Sequence, residues 1–104
     1  MRGGSINPPK AALVAEFLKE SLPGLHVYDT EDFERDCQFY RIDDGRGNIR
    51  HRVRVSREFL DDHTDEQIVS SLNAWELPNL IMQAGLRPVL VTNAGCVILT
   101  EQDR

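Results

Sequence analysis

The sequence predicts an α+β fold in which a mainly antiparallel sheet of about five strands packs against helices. The first observation is the run of residues 49–55, where apolar residues and arginines alternate without a break, as in a strand with one buried face. The second is that helical patterns stand apart from the hairpin patterns, with no regular strand–helix alternation. The third is a composition of 40% hydrophobic and 28% charged residues, typical of a globular domain. The predicted order of elements is α-β-β-β-α-α-β-β.

The first helix is predicted to begin after Asn7, because asparagine is a good N-cap and Pro8 suits the first helical position. Pro23 and Gly24 end this helix. Between these limits apolar residues recur at helical spacing, so one face packs on a core. These residues are Leu13, Val14, Phe17, Leu18 and Leu22.

Three strands are predicted next. Residues 25–28 form a short strand, and residues 29–36 form an acidic connection whose single apolar anchor is Phe33. Residues 37–43 and 49–55 form a hairpin. Its turn at 45–48 contains two glycines, which supply the positive φ angles of a tight loop.

The register of this hairpin follows from matching the apolar faces of its two arms, which pairs Asp43 with Arg50. A tighter register would place Arg41 opposite Arg50, so like charges are opposed in both alternatives. The first register gives Tyr40–Val53 and Ile42–His51 on the core face, and Arg41–Arg52 and Phe39–Arg54 on the other face.

A second group of helices follows the hairpin. Ser56 caps one short helical turn, and residues 64–67 fit a capping box with Thr64 at the cap and Gln67 three residues later. Pro78 must break or restart this helix, because its ring clashes with the preceding turn. Residues 79–84 then form a second helical piece that ends at Gly85.

A second hairpin completes the predicted sheet. Residues 88–92 and 96–100 are its arms, and residues 93–95 form its turn. Both arms are continuous apolar runs, which predicts strands that are covered on both faces.

The whole chain is predicted to be one domain. We assign residues 7–101 to it, residues 1–6 to a flexible N-terminus and residues 102–104 to a C-terminal tail. No apolar run approaches the roughly 18 residues of a membrane-spanning helix, so we expect no membrane association and a cytoplasmic location. The net charge of −5 disfavours general nucleic-acid binding.

The sequence specifies neither a catalytic site nor a metal site, and we expect no cofactor. The three histidines lack metal-ligand spacing, and Cys37 and Cys96 are isolated cysteines of strand-like runs, where cysteine usually serves as a small buried residue. A small enzyme centred on His51 and nearby acids is the least favoured alternative, because a histidine on the core face is usually held by a hydrogen bond.

Arginines supply the best functional candidate. Six of them lie between residues 41 and 57, and acidic clusters flank this stretch on both sides. Such a row can be a solvated sheet face, a protein-binding or self-association face, or a nucleic-acid contact. We predict a non-enzymatic module that binds another protein or itself, with a nucleic-acid-binding accessory protein as the alternative. The predicted contact residues are Arg41, Arg50, Arg52, Arg54 and Phe39.

A second candidate contact lies in the stretch from Trp75 to Met82. Apolar residues around a helix break are usually core. If Trp75 and Met82 are exposed, they would instead form an apolar patch suited to a partner or to a dimer contact.

Overall fold

The computed structural model describes residues 6–100, which form a five-stranded mixed sheet and four α-helices. This confirms the predicted α+β class. The order of the elements matches roughly, since three helices rather than two follow the third strand. The predictions for residues 1–5 and 101–104 lie outside the described residues. The elements are α1 Pro8–Ser21, β1 His26–Asp32, β2 Cys37–Asp43, β3 Ile49–Ser56, α2 Arg57–Asp62, α3 Asp65–Ala74, α4 Leu77–Ala84, β4 Pro88–Thr92 and β5 Gly95–Ile98.

The strands lie in the sheet in chain order, from β1 at one edge to β5 at the other. The pairs β1–β2, β2–β3 and β4–β5 are antiparallel, and β3–β4 is parallel. A parallel neighbour needs a crossover connection, and helices α2, α3 and α4 provide it. None of the helices in residues 6–100 is long and apolar enough to cross a bilayer.

One face of the sheet forms the hydrophobic core with the helices. Alternate residues of the central strands, including Tyr40, Val53 and Val91, are fully buried there. The helices contribute the other half of the same cluster, with Leu18 of α1 and Ile81 of α4 among its fully buried members. We call this the core face of the sheet.

Local capping interactions define the helix ends as the sequence predicts. The side chain of Asn7 accepts a hydrogen bond from the backbone N–H of Lys10, and Ser56 caps α2 through the N–H of Phe59. Thr64 and Gln67 form both hydrogen bonds of the capping box at α3. Pro78 is the second residue of α4, where its missing N–H costs no helical hydrogen bond.

The first strand is longer than predicted, so two expectations about its end are wrong. Residues 29–32 continue β1 and pair with β2, because the strand's acidic residues can face solvent at a sheet edge. Phe33 is not an apolar anchor: it lies in the turn after β1 and is 76% exposed.

The sequence predicts that β4 and β5 are covered on both faces, and the structure differs. Val89 and Val91 are buried on the core face, whereas Leu90 is only half-buried and Val97 is 53% exposed. In the described part of the chain, the helices pack on the core face alone, so the continuous apolar runs of β4 and β5 leave one face of these strands open.

The β2–β3 hairpin has the four side-chain pairs predicted for its interior. The pairing of Asp43 with Arg50 is wrong, because Asp43 lies opposite Ile49 and a β-bulge makes Arg50 an extra residue. Gly45 and Gly47 have φ angles of +81° and +92°, which confirms the role of the turn glycines.

Candidate protein-binding face

The second face of the sheet carries the arginines. The strand registers place Tyr28, Arg41 and Arg52 in one row across β1, β2 and β3, and Thr30, Phe39, Arg54, Leu90 and Val97 in the next row across all five strands. We call these eight residues the open face. The register predicted from sequence is what brings Arg41, Arg52, Arg54 and Phe39 together, and the structure adds the other four.

Arg41 and Tyr28 form the exposed corner of the open face. The guanidinium carbon of Arg41 lies 4.8 Å from the centre of the Tyr28 ring, within the range of a cation–π interaction. Its Nε also lies 3.5 Å from Oδ2 of the buried Asp43 carboxylate. Tyr28 is 47% exposed, so both side chains are held in place and remain available to a partner.

Arg52 is held by a different part of the chain. One of its terminal nitrogens donates a 2.7 Å hydrogen bond to the backbone carbonyl of Leu86, in the connection between α4 and β4. The neighbouring His51 points to the core face, where Nδ1 donates to the carbonyl of Gly85 at 3.1 Å. This contact is the hydrogen bond expected of a histidine on the core face.

The other two arginines of the predicted contact surface, Arg50 and Arg54, differ in their exposure. Arg54 is only 9% exposed, and its guanidinium carbon lies 5.6 Å from the centre of the Phe39 ring. Arg50 is the extra residue of the bulge and is exposed. The three arginines of β3 are therefore one buried, one half-buried and one exposed group, rather than a row of equivalent contacts.

Apolar side chains lie beside Arg54 in the second row of the open face. Phe39 and Leu90 are half-buried, and Val97 is exposed at the edge of β5. Beyond Phe39 and Arg54, the open face continues into a shallow depression of about 420 Å³ that Thr30 and Phe33 also line. The combination of fixed arginines and exposed apolar side chains is the composition expected of a protein contact surface.

Asp32 also lines this depression and is paired within the chain. Arg35 donates to it from its backbone N–H at 3.2 Å and from its side chain at 3.0 Å. Burial raises the pKa of Asp32, but these hydrogen bonds and the charge of Arg35 outweigh that effect, so the pKa lies below its usual value. The carboxylate therefore stays ionised and is neutralised by Arg35.

Trp75 and Met82 differ in exposure. Trp75 is half-buried, and its ring centre lies 5.7 Å from that of Phe59 in the core. Met82 is 63% exposed on α4, but the surface depression beside Trp75 is lined by Glu76, Asn79, Leu80 and Gln83.

Sequence reasoning missed Tyr28, Thr30, Leu90 and Val97 as members of this face. The signal for Tyr28 was its place in the period-2 alternation of β1, which the three acidic residues of this strand obscure. In residues 6–100 there is no group of three or more His, Cys, Asp or Glu side chains that could hold a metal ion.

The chain matches no known family model, and no curated protein and no solved structure is significantly similar to it.

Proposed function

We infer that the chain is a cytoplasmic, non-enzymatic protein-binding module and that the open face is its contact surface. The partner surface would carry carboxylates beside apolar side chains. The observation that carries this proposal is the row of Tyr28, Arg41 and Arg52, where intramolecular contacts hold two arginines beside the half-exposed Tyr28 ring. Arginines that are ordered before binding lose less side-chain entropy when a partner docks.

The charge distribution favours an acidic partner. The chain has a net charge of −5, yet Arg41 and Arg52 lie side by side on the open face with one carboxylate, that of Asp43, beside Arg41. The surface of the chain itself offers an acidic complement, because the end of α2 exposes Asp61 and Asp62 and the start of α3 exposes Asp65 and Glu66. A second copy of the chain is consequently the first partner to test.

Light scattering at low and at high salt is the direct experiment. We expect a mass above the 11.8 kDa of one chain at low salt. The mass should fall in about 1 M salt, where the Debye length is only about 3 Å. Arg41→Glu should give the lower mass at both salt concentrations, because it places a like charge opposite the acidic surface.

Arg46→Glu is the matched control. It makes the same change of charge in the exposed hairpin turn, outside the open face. If the two variants behave alike, net charge rather than the open face controls association. If wild type is a monomer at both salt concentrations, a second copy is excluded as the partner. A comparison of the acidic proteins captured by wild type with those captured by Arg41→Glu then tests the open face itself.

A second candidate, nucleic-acid binding, gains one observation from the structure. Tyr28 and Phe39 both lie on the open face beside arginines, which is the combination that stacks and neutralises single strands. Fluorescence anisotropy with a labelled single-stranded oligonucleotide distinguishes protein binding from nucleic-acid binding. Binding that is lost on Tyr28→Ala and weakens steeply with salt would favour this alternative, and no binding at low salt would remove it.

A further inference from the structure

A groove on the core-face side of the sheet is separate from the open face. It lies between α1 and the edge of the sheet formed by β1 and β2, and it has a volume of about 320 Å³. Ala12 and Ala15 of α1 form part of its apolar wall, and Asp29, Glu31 and Gln38 face it from the strands. This volume is at the lower end of the range of small-molecule sites.

The polar groups of this groove offer hydrogen-bond acceptors. Asp29 accepts a 2.8 Å hydrogen bond at Oδ2 from Nε2 of Gln38, and Glu31 accepts one of 2.9 Å at Oε2 from the backbone N–H of Ile6. Each carboxylate has a second oxygen. The one lysine that lines the groove in the described chain, Lys19, lies 3.5 Å from Glu16 and so neutralises that residue. Among the described residues that line the groove, Asp29 and Glu31 thus leave an excess of negative charge.

Gln38 provides an independent sign that a donor is missing. It is only 6% exposed, and its Oε1 is buried without a hydrogen-bond partner among residues 6–100. The amide cannot be turned round to correct this, because Oε1 would then face the carboxylate of Asp29, which needs the N–H group. A buried acceptor that stays unsatisfied costs about 1–3 kcal/mol, so such a group calls for an explanation.

We propose that this groove binds a short aliphatic diamine. Its ammonium groups supply the positive charge that would balance Asp29 and Glu31 and the N–H donor that Gln38 Oε1 lacks, and its methylene chain packs along Ala12 and Ala15. Asp29 and Glu31 are alternate residues of β1, so they lie about 6.6 Å apart along the strand. The extended chain of 1,4-diaminobutane holds its two nitrogens at a comparable separation. The proposal does not depend on the function of the open face.

The test is a titration of the ¹⁵N-labelled full chain with 1,4-diaminobutane, followed by NMR. We expect saturable shifts of the Gln38 side-chain N–H₂ resonances and of the backbone amides of residues 12, 29 and 31. The same concentration of 1-butanol, which has a similar chain without charge, should cause no saturable shift. The absence of saturable shifts with the diamine, or equal shifts with the alcohol, overturns the proposal.

Two variants locate the site, and a third serves as control. Glu31→Gln keeps an acceptor for the N–H of Ile6 but removes the charge, and we expect affinity to fall about tenfold or more, the scale of one lost charged hydrogen bond. Ala12→Phe fills the groove from an exposed position on α1 and should abolish the shifts with both acids intact. Glu20→Gln removes an exposed charge of α1 outside the groove lining and should bind like wild type.

These variants also separate a binding groove from general attraction to an acidic protein. If Glu20→Gln weakens binding as much as Glu31→Gln, or if Ala12→Phe binds normally while its amide spectrum shows a folded chain, the groove is not the site.

Discussion

Tyr40 is the side chain that joins the sheet to the first helix. It lies on the core face of β2, is fully buried, and its hydroxyl donates a 2.7 Å hydrogen bond to the backbone carbonyl of Ala11 in α1. Burial raises the pKa of this phenol far above its usual value, with the nearby Asp29 charge adding to the effect, so the hydroxyl keeps its proton at any ordinary pH. The Tyr40 hydroxyl therefore remains a hydrogen-bond donor to Ala11 at any ordinary pH.

Tyr40→Phe should lower the free energy of unfolding by about 1 kcal/mol, the net value of a typical intramolecular hydrogen bond. The ring stays in place, so no cavity forms. Urea unfolding followed by circular dichroism measures the change. Tyr28→Phe is the matched control, since Tyr28 is half-exposed on the open face and should change stability little. A loss no larger than that of the control would mean that the hydroxyl does not hold α1 in place.

At the scale of residues, sequence predicts which face a side chain takes better than how deeply it is buried. The alternation of β3 correctly placed Val53 on the core face and Arg54 on the other. It could not distinguish the buried Arg54 from the exposed Arg50, because that difference arises from a bulge and from the Phe39 ring of a neighbouring strand. Both depend on contacts between strands, which a single-strand pattern does not contain.

At the scale of elements, helix ends are encoded locally. The α3 helix begins with a capping box in which Thr64 accepts from the N–H of Gln67 at 3.2 Å, and the Gln67 side chain accepts from the N–H of Thr64 at 3.0 Å. Both partners lie within four residues of sequence, so the motif was predictable. The left-handed conformation of Glu76, with φ +54°, was not, because it comes from the junction of α3 with α4.

Thr64→Ala should destabilise the protein by about 1 kcal/mol, because it removes the cap of the first turn of α3. Ser70→Ala is a suitable reference, since Ser70 is exposed in the interior of the same helix and alanine has the higher helix propensity. Thermal unfolding should therefore show a lower midpoint for the first variant and an equal or higher midpoint for the second. Equal midpoints would show that the cap is not used in solution.

The strand pairings likewise include one that could be predicted from the sequence and one that could not. The β2–β3 hairpin could be predicted because its apolar faces and its turn glycines agree on one register. The parallel pairing of β3 with β4 could not, since it depends on how three helices cross the sheet between them. The helices also determine that one face of β4 and β5 stays open, so the composition of the open face follows from tertiary packing.

At the scale of the whole molecule, the strand order determines the state of the two cysteines. Cys37 is on β2 and Cys96 is on β5, so two strands separate them. Neighbouring strands lie about 4.8 Å apart, which puts the two positions roughly 14 Å from each other, beyond the reach of a disulfide. They also lie on opposite faces, because Cys96 packs with the core and Cys37 shares the face of Phe39. Both thiols are free.

Burial raises the pKa of Cys37 to about 11 and that of Cys96 to about 11, from an ordinary value of 9.0. Only the thiolate reacts, so a disulfide reagent should modify both slowly at pH 8, and the rate should rise about tenfold per pH unit towards pH 11. Cys96 should react first, because it is half-buried and Cys37 is almost fully buried. Absorbance of the released reagent thiol measures this, and the single variants Cys37→Ala and Cys96→Ala assign each rate.

The same shifts predict how stability depends on alkaline pH. Between about pH 9 and pH 11 the unfolded chain loses thiol protons that the folded chain still keeps, so the free energy of unfolding should fall as pH rises through this window. Below pH 9 both states hold these protons, and the thiols contribute no pH dependence. Urea unfolding at a series of pH values should show a smaller alkaline loss in the variant that lacks both cysteines. An equal loss in that variant would mean that tyrosines or lysines, rather than the buried thiols, set the alkaline limit of this fold.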